Sequence, residues 1–432
     1  MFRFNFSDVI TNLYLRCTLA GLSIDESSPE LFVLNIDCLE EIFEWLSLSD
    51  LLTLRQTCKQ LRHVVNYYIK ANYPTIEMGF KKIAIFPTDF ETFHNLDSVT
   101  TRAIRQVHFW TEDLNSYQID VVRDILPQIE RLLIGWPADG EFYENFLQFC
   151  PNVKYMSMLK GPNRTEDGRE NLWLLQQYPL LEHFLVNDFD SGGPEEGWEV
   201  PLLRTFFQQN PNIRIFSTTF NFLRRNTDCW LGANIKLDQL EITGFASNIK
   251  RTSDLLNTLY DQGFYKHIHV YVMFLTTDTL RDLSELKGLE KLYLKNNKES
   301  IVLPPLNELK ELAMNCVQDP EQLTRIAQNL TSIERIFVAQ ATINDVLPFI
   351  QHAQNVNKIK INRLEHGNRS ENITLDLITL NKYRKELVGA SKITIYVPEK
   401  WYLETKWTMG TTDYSLIELK RAETYIWDHL FF

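Results

Sequence analysis

The sequence predicts an α/β protein: a short all-helical module near the N-terminus, then a solenoid with parallel strands on its concave face and helices on its convex face. Three observations carry that expectation. Apolar residues fall at helical spacing between residues 31 and 74. From residue 80 onward one short apolar pattern recurs, most often at about 24 residues. The composition, 44% hydrophobic with 23% charged residues, is that of a chain able to bury the core such an array needs. The expected division is a tail at 1–30, the helical module at 31–74, the repeats at 75–400 and a C-terminal cap at 401–432.

In the helical module Leu39, Ile42, Phe43 and Leu46 stand at i, i+3, i+4 and i+7, one face of a helix. Asn35 is placed to cap it, and Asp37, Glu40 and Glu41 lie where the helix dipole favours carboxylates. Ser49 or Asp50 opens a second start, after which Leu51, Leu54, Cys58, Leu61 and Val65 continue the stripe until Pro74 closes it. Roughly 40 residues of short helices bury too little surface to be very stable alone, so the module leans on a partner or on the next domain. Periodicity leaves both readings open.

The run Leu34-Asn35-x-Asp37-x-Leu39-x-x-Ile42-Phe43-x-x-Leu46, followed by Asp50-Leu51-Leu52 and by Cys58-Lys59-x-x-Arg62, resembles the F-box pattern L-P-x-E-x-L-x-x-I-F-x-x-L … D-L-L … V-C-K-x-x-R. Asn35 stands where that family has Pro, and Thr57 where it has Val. The resemblance implies docking onto the Skp-family adaptor of a cullin-based ubiquitin ligase. The residues it assigns to that contact are Leu34, Asn35, Leu39, Ile42, Phe43, Leu46, Leu51, Leu54 and Cys58. The implied mode is a helix whose apolar anchors enter a groove.

The repeat reads Phe80-x-x-Ile83-x-Ile85 in its first copy and Ile104-x-x-Val107-x-Phe109 in its second. It runs through copies such as Leu237-x-x-Leu240-x-Ile242 and Leu289-x-x-Leu292-x-Leu294 to a weaker Ile393-x-Ile395. Helical stretches lie between copies, and Pro151, Pro179 and Pro211 each stop one just before the next strand. The pattern resembles the leucine-rich repeat; the copy LEKLYLKNN reaches that family's Asn at Asn297, which most other copies lack. Two intervals exceed the period: an acidic, glycine-containing stretch from Asp188 to Glu199, and residues 366–392. Either is a binding loop or a solvated insertion. A helix from about Asp413 and the tail WDHLFF are expected to cap the array, because a terminal repeat must hide its core edge.

A net charge of -12 disfavours binding to DNA, RNA or anionic lipid. No stretch approaches the roughly 20 apolar residues that span a bilayer, so no membrane partner is expected. The six cysteines form no C-x-x-C pair and read as buried thiols of a reducing compartment, which places the protein in the cytoplasm or nucleus. Five N-x-S/T triplets point the other way, although such triplets arise by chance in a polar chain. No Walker loop, G-x-S-x-G or H-E-x-x-H motif is present, and no cofactor is expected. His267 and His269 share a strand face, but no sequence pattern adds a third metal ligand to them.

Two functions compete. One is a non-catalytic substrate receptor within an SCF-type ligase, the resemblance placing the ubiquitin-transfer chemistry on other subunits. The other is a repeat-based binding or inhibitory protein acting outside a ligase. Strand alternation turns the residues between the apolar positions onto the open face of the sheet. In the later copies these are Tyr271, Lys291, Tyr293, Lys295, Arg335, Phe337, Lys358, Lys360, Lys392 and Tyr396, opposed by Glu311. That reads as a positive, aromatic surface for an acidic or phosphorylated protein segment, or as lysines that keep an exposed sheet soluble.

Overall fold

The computed structural model describes residues 39, 42–43, 46, 48–57, 59–72, 75–79, 82–86, 102, 104–109, 123–135, 146–158, 172–186, 200–245, 250–274, 276–296, 303–316, 320–364, 375–408 and 415–422. The chain divides into two compact units, Met1–Met156 and Ser157–Phe432.

In the first unit, helices α1 (Leu48–Thr57) and α2 (Lys59–Asn72) follow one another directly. Leu48, Leu51 and Leu54 of α1 are buried, as are Leu61, Val65, Tyr68 and Ile69 of α2. Steps of three and four place each set on one helical stripe. Helix α2 stops two residues short of Pro74, whose ring disfavours helical backbone before it.

Strands β1 (Thr75–Gly79) and β2 (Lys82–Phe86) then pair antiparallel, with Gly79 opposite Lys82. The copy at Phe80 is therefore not a repeat: two residues between strands suffice for a hairpin, whereas a parallel return needs a dozen or more. The parallel series begins where β3 (Gln106–Phe109) joins β1 and β4 (Arg131–Ile134) joins β3. Strand β5 (Tyr155–Met158) carries the division between the units.

The second unit is a leucine-rich-repeat-like solenoid. Its strands are β6 (His183–Val186), β7 (Ile215–Thr219), β8 (Leu237–Phe245), β9 (Tyr265–Phe274), β10 (Leu289–Asn296), β11 (Glu311–Cys316), β12 (Arg335–Ala341), β13 (Lys358–Leu364), β14 (Ile393–Val397) and β15 (Ile417–Arg421). Each pairs in parallel with the next. Between them lie α3 (Val200–Gln209), α4 (Phe220–Arg225), α5 (Thr227–Trp230), α6 (Lys250–Asp261), α7 (Thr277–Ser284), α8 (Pro320–Asn329), α9 (Ile343–His352), α10 (Leu377–Glu386) and α11 (Glu399–Thr408).

The core fills the space between strands and helices. Ile242, Val270, Leu292, Leu312, Ile336, Ile359 and Ile395 form one buried row, each worth about 1.5–3 kcal/mol when fully withdrawn from water. Aromatic rings thicken it early in the unit: Phe206 of α3 sits 4.7 Å from Phe184, and Phe207 lies 5.1 Å from Phe216 and 5.5 Å from Trp230.

Where the family Asn is missing, other side chains hold the turns. Asn152 donates to the Pro127 carbonyl at 2.6 Å in the first unit; in the second, Asn212 donates to Pro179 at 2.7 Å and Asn355 to Thr331 at 2.7 Å. Each reaches back one repeat from three residues before the next strand. Gly288, before β10, has φ +73°, and an added Cβ would lie 2.8 Å from the Lys266 carbonyl, so only glycine fits there.

Arg384 is fully buried and spends every N–H on a carbonyl: Nε on Ser391 at 2.9 Å, Nη1 on Ile350 at 3.2 Å and Ala353 at 2.8 Å, and Nη2 on Gln354 at 2.8 Å and Val356 at 2.9 Å. It thereby satisfies carbonyls that the end of α9 leaves open. At the C-terminus, the helix expected from Asp413 is replaced by α11, which comes earlier, and by β15. Ile417-x-Leu419 alternates with period two, the strand period, and both residues are buried. The tail WDHLFF lies outside the described residues.

Candidate functional site

Two surfaces can serve function: the helical module of the first unit and the open sheet face of the second. In the module Leu39, Phe43, Leu46, Leu51 and Leu54 are buried, Phe43 with its ring edge-on to Tyr68 at 5.2 Å. These residues build the module. Ile42 and Leu52 are half-buried and Tyr67 is 59% exposed, so among the described residues the reachable apolar surface is carried by residues beside the core ones. Leu34, Asn35 and Cys58 lie outside the described residues.

On the open face of the second unit, parallel pairing lines side chains into rows that run across the strands. One row passes through Ser217, Glu241, His269, Lys291, Glu311, Arg335, Lys358, Thr394 and Glu418. The next passes through Tyr271, Tyr293, Ala313, Phe337, Lys360 and Tyr396. Adjacent strands are only ~4.8 Å apart, so rings in register shield one another. Tyr271 and Tyr293 stack at 4.5 Å, and with Ala313 and Phe337 they form a buried cluster. The aromatic residues expected to stand free are therefore a packed ridge, and burial pushes the Tyr271 hydroxyl above its usual pKa.

The positive face, expected to be opposed by Glu311, is neutralised at more than one point by its own carboxylates. Lys291 meets Glu311 at 3.5 Å and Arg335 meets the same carboxylate at 3.0 Å, while Lys392 and Lys420 meet Glu418 at 3.2 and 3.3 Å. Lys358 lies 5.0 Å over the Tyr396 ring, and Lys360 lies 5.8 Å over Phe337. Lys295 is half-exposed on β10.

Over β6 to β10 the face carries an imidazole–carboxylate network that spacing did not reveal. His183 Nε2 is 2.7 Å from Ser217 Oγ, and Ser217 and Gln239 both donate to Glu241. His269, 2% exposed, has Nδ1 3.6 Å from Glu241 and Nε2 3.5 Å from Glu290. His267 Nδ1 lies 3.8 Å from Glu290, and Lys310 Nζ lies 3.6 Å from it.

Burial alone would raise the Glu241 carboxyl. Hydrogen bonds from His269 and Ser217, with the charges of His183 and His269, outweigh it and hold the group down at about 2. Glu290 is held at about 2, first by the hydrogen bond from His269 and then by the charges of His267, His269 and Lys310, against burial. The two carboxylates missing from the neighbourhood of His267 and His269 in the sequence come from flanking strands. Among the described residues no group of such side chains is arranged to hold a metal ion.

A third row, two residues further along, contains Lys295, Asn315, Ala339 and Asn362. Leu294 pairs with Met314, Met314 with Val338 and Val338 with Ile361, so these four follow one another across β10 to β13. All four are partly exposed. Strand alternation singles out Lys295 in the sequence, and the same even spacing on the open face is the signal that could have identified Asn315, Ala339 and Asn362.

Residues 31–70 match the model of the F-box domain family. No curated protein matches the chain. Among solved structures, the chain is similar to one described as the crystal structure of the TLR13–ssRNA13 complex, with 11% identity and a TM-score of 0.31. That match covers 68% of this chain and 50% of the other, so the chain spans half the length of that one. The repeat reading rests on the strand order above, and at residues 31–70 the chain carries an F-box domain.

Proposed function

We propose that this protein is the substrate-receptor subunit of an SCF-type ubiquitin ligase, acting in the cytoplasm or nucleus. It docks on a Skp-family adaptor, and through it a cullin, by the F-box, and holds a protein substrate on the open face of the repeats. The F-box match at residues 31–70, followed by a solenoid, is the observation that carries this reading. Such a subunit does no bond chemistry. It raises the effective concentration and fixes the orientation of a substrate beside the ubiquitin-transfer machinery.

The test is co-purification of the full chain with the adaptor and cullin, compared with an Ile42→Asp/Leu52→Asp double variant. Those two side chains are half-buried, so the substitutions alter reachable surface while leaving Phe43 and Leu51 in the core. Wild type should recover both partners, and the variant at least about tenfold less, since losing two interface anchors at 1–2 kcal/mol each exceeds 1.4 kcal/mol. If wild type recovers neither, the chain acts as a repeat-based binding protein outside a ligase.

A further inference from the structure

The geometry points to the row Lys295, Asn315, Ala339 and Asn362 as the seat of an extended, acidic, polyproline-II-like segment of another protein. This rests on the reading that the open face of the repeats holds a protein partner, and it specifies which part of that face and which chemistry.

Asn315 on β11 and Asn362 on β13 both project from the open face, with Ala339 of β12 between them. Among the described residues neither asparagine side chain has a hydrogen-bond partner, although each is only partly exposed. A primary amide both donates and accepts, and so suits the alternating N–H and C=O groups of a passing backbone. Ala339 packs on the aromatic ridge and is itself partly exposed, and its methyl is the smallest side chain such a position can carry short of glycine.

The spacing selects the conformation. Two strands of a sheet separate Asn315 from Asn362 by about 9.6 Å. A polyproline-II segment advances about 9.3 Å in three residues and presents equivalent backbone groups at that interval. A β-strand repeats its same-side groups at about 6.7 Å and would match only one amide.

Charge selects the composition. Lys295 adjoins Asn315 in the row, while Lys360 and Lys358 stand two and four residues before Asn362 on the same face of β13. Neither Lys295 nor Lys358 has an ion-pair partner among the described residues, in contrast to Lys291, Arg335 and Lys392. The row thus holds Lys295 and lies near Lys358, two cations with no ion-pair partner among the described residues, and an acidic segment supplies the missing charge. Carboxylates and phosphoserine share this oxyanion chemistry.

The test selects a display library of random twelve-residue peptides against the full chain. Each enriched peptide is then titrated against wild type and against Asn315→Leu/Asn362→Leu, Ala339→Trp and Lys358→Glu. A Lys382→Glu variant on α10 serves as control, and every variant is checked for its melting midpoint and for adaptor capture. Phosphoserine copies of any Ser-containing binder separate the two sources of negative charge.

The expected result is enrichment of Asp and Glu, and at least tenfold weaker binding by the three row variants but not by Lys382→Glu. If one row variant fails to fold, the remaining two decide. No binders, no acidic bias, or binding indifferent to the variants overturns the proposal. Adaptor capture with no acidic binder removes this inference alone, whereas loss of adaptor capture by the wild-type chain removes the ligase reading.

Discussion

The open face has two halves built from similar side chains and neutralised to different degrees. Over β6 to β10, charges are satisfied from within: Glu241 and Glu290 are each surrounded by donors, and His269 lies between them, 2% exposed. Over β10 to β14, Lys295 and Lys358 have no ion-pair partner among the described residues, and Asn315 and Asn362 have idle amides. A charge enclosed by its own protein is costly to remove because its partners are left buried and unpaired, while one left facing water contributes little to folding and is available to a partner. Counting lysines from the sequence could not separate these roles, because the partners that neutralise them come from strands one repeat away.

The difference is open to direct attack, and the largest effect should come from the enclosed half. Glu241→Ala removes the acceptor for Ser217, Gln239 and His269 at once, leaving buried donors unmatched. Destabilisation of about 3 kcal/mol is expected, as for breaking a buried ionic hydrogen-bond network. Denaturant unfolding measures it, and a loss under about 1 kcal/mol would show that the network is not enclosed as described.

Acid should probe the same half more gently. Glu241 and Glu290 are held at about 2 in the folded protein against an ordinary value of 4.5. A carboxyl depressed by folding contributes stability that is fully present above its unfolded value and lost as pH falls through the folded one. The melting midpoint of wild type should therefore drop between about pH 5 and pH 3 more steeply than that of Glu241→Gln, which has lost one of the two titrating groups. Parallel curves would contradict the assignment.

The smallest effect on folding is expected in the other half. Lys358→Met removes an exposed charge that lies over Tyr396 without an ion pair, and should change stability by no more than about 0.5 kcal/mol. Binding of the acidic peptides should nevertheless fall. A large stability loss with unchanged peptide binding would reverse the roles given to the two halves.

Much of this was legible in advance. The L-x-x-L-x-L spacing located most strands of the second unit, since the apolar residues that alternate toward the helices are the ones that must be buried. The stripe Leu39, Phe43, Leu46, Leu51 and Leu54 likewise announced the helical module, and its pattern placed the F-box. The F-box resemblance assigns the adaptor contact to these positions, whereas periodicity reports which residues leave water and is silent on whether a partner or the chain itself covers them. The copy at Phe80 was misassigned because an apolar pattern does not encode strand direction; the two-residue link to β1 does.

The sequence by itself determined the repeat, the side-chain alternation and the helical module, all of them consequences of local period and of the need to bury apolar surface. Register was left to the tertiary structure. Between Leu289 and Lys291 the pairing of β10 with β9 shifts by one residue, and the extra residue, Glu290, is carried to His267 and His269. Strict alternation would have placed it elsewhere. Which carboxylate meets which imidazole, which lysine is neutralised, and which asparagine is left without a partner all depend on how neighbouring repeats slide against one another. That sliding is fixed by bulges, turns and packing between residues 20 to 30 positions apart, beyond the reach of any pattern within a single repeat.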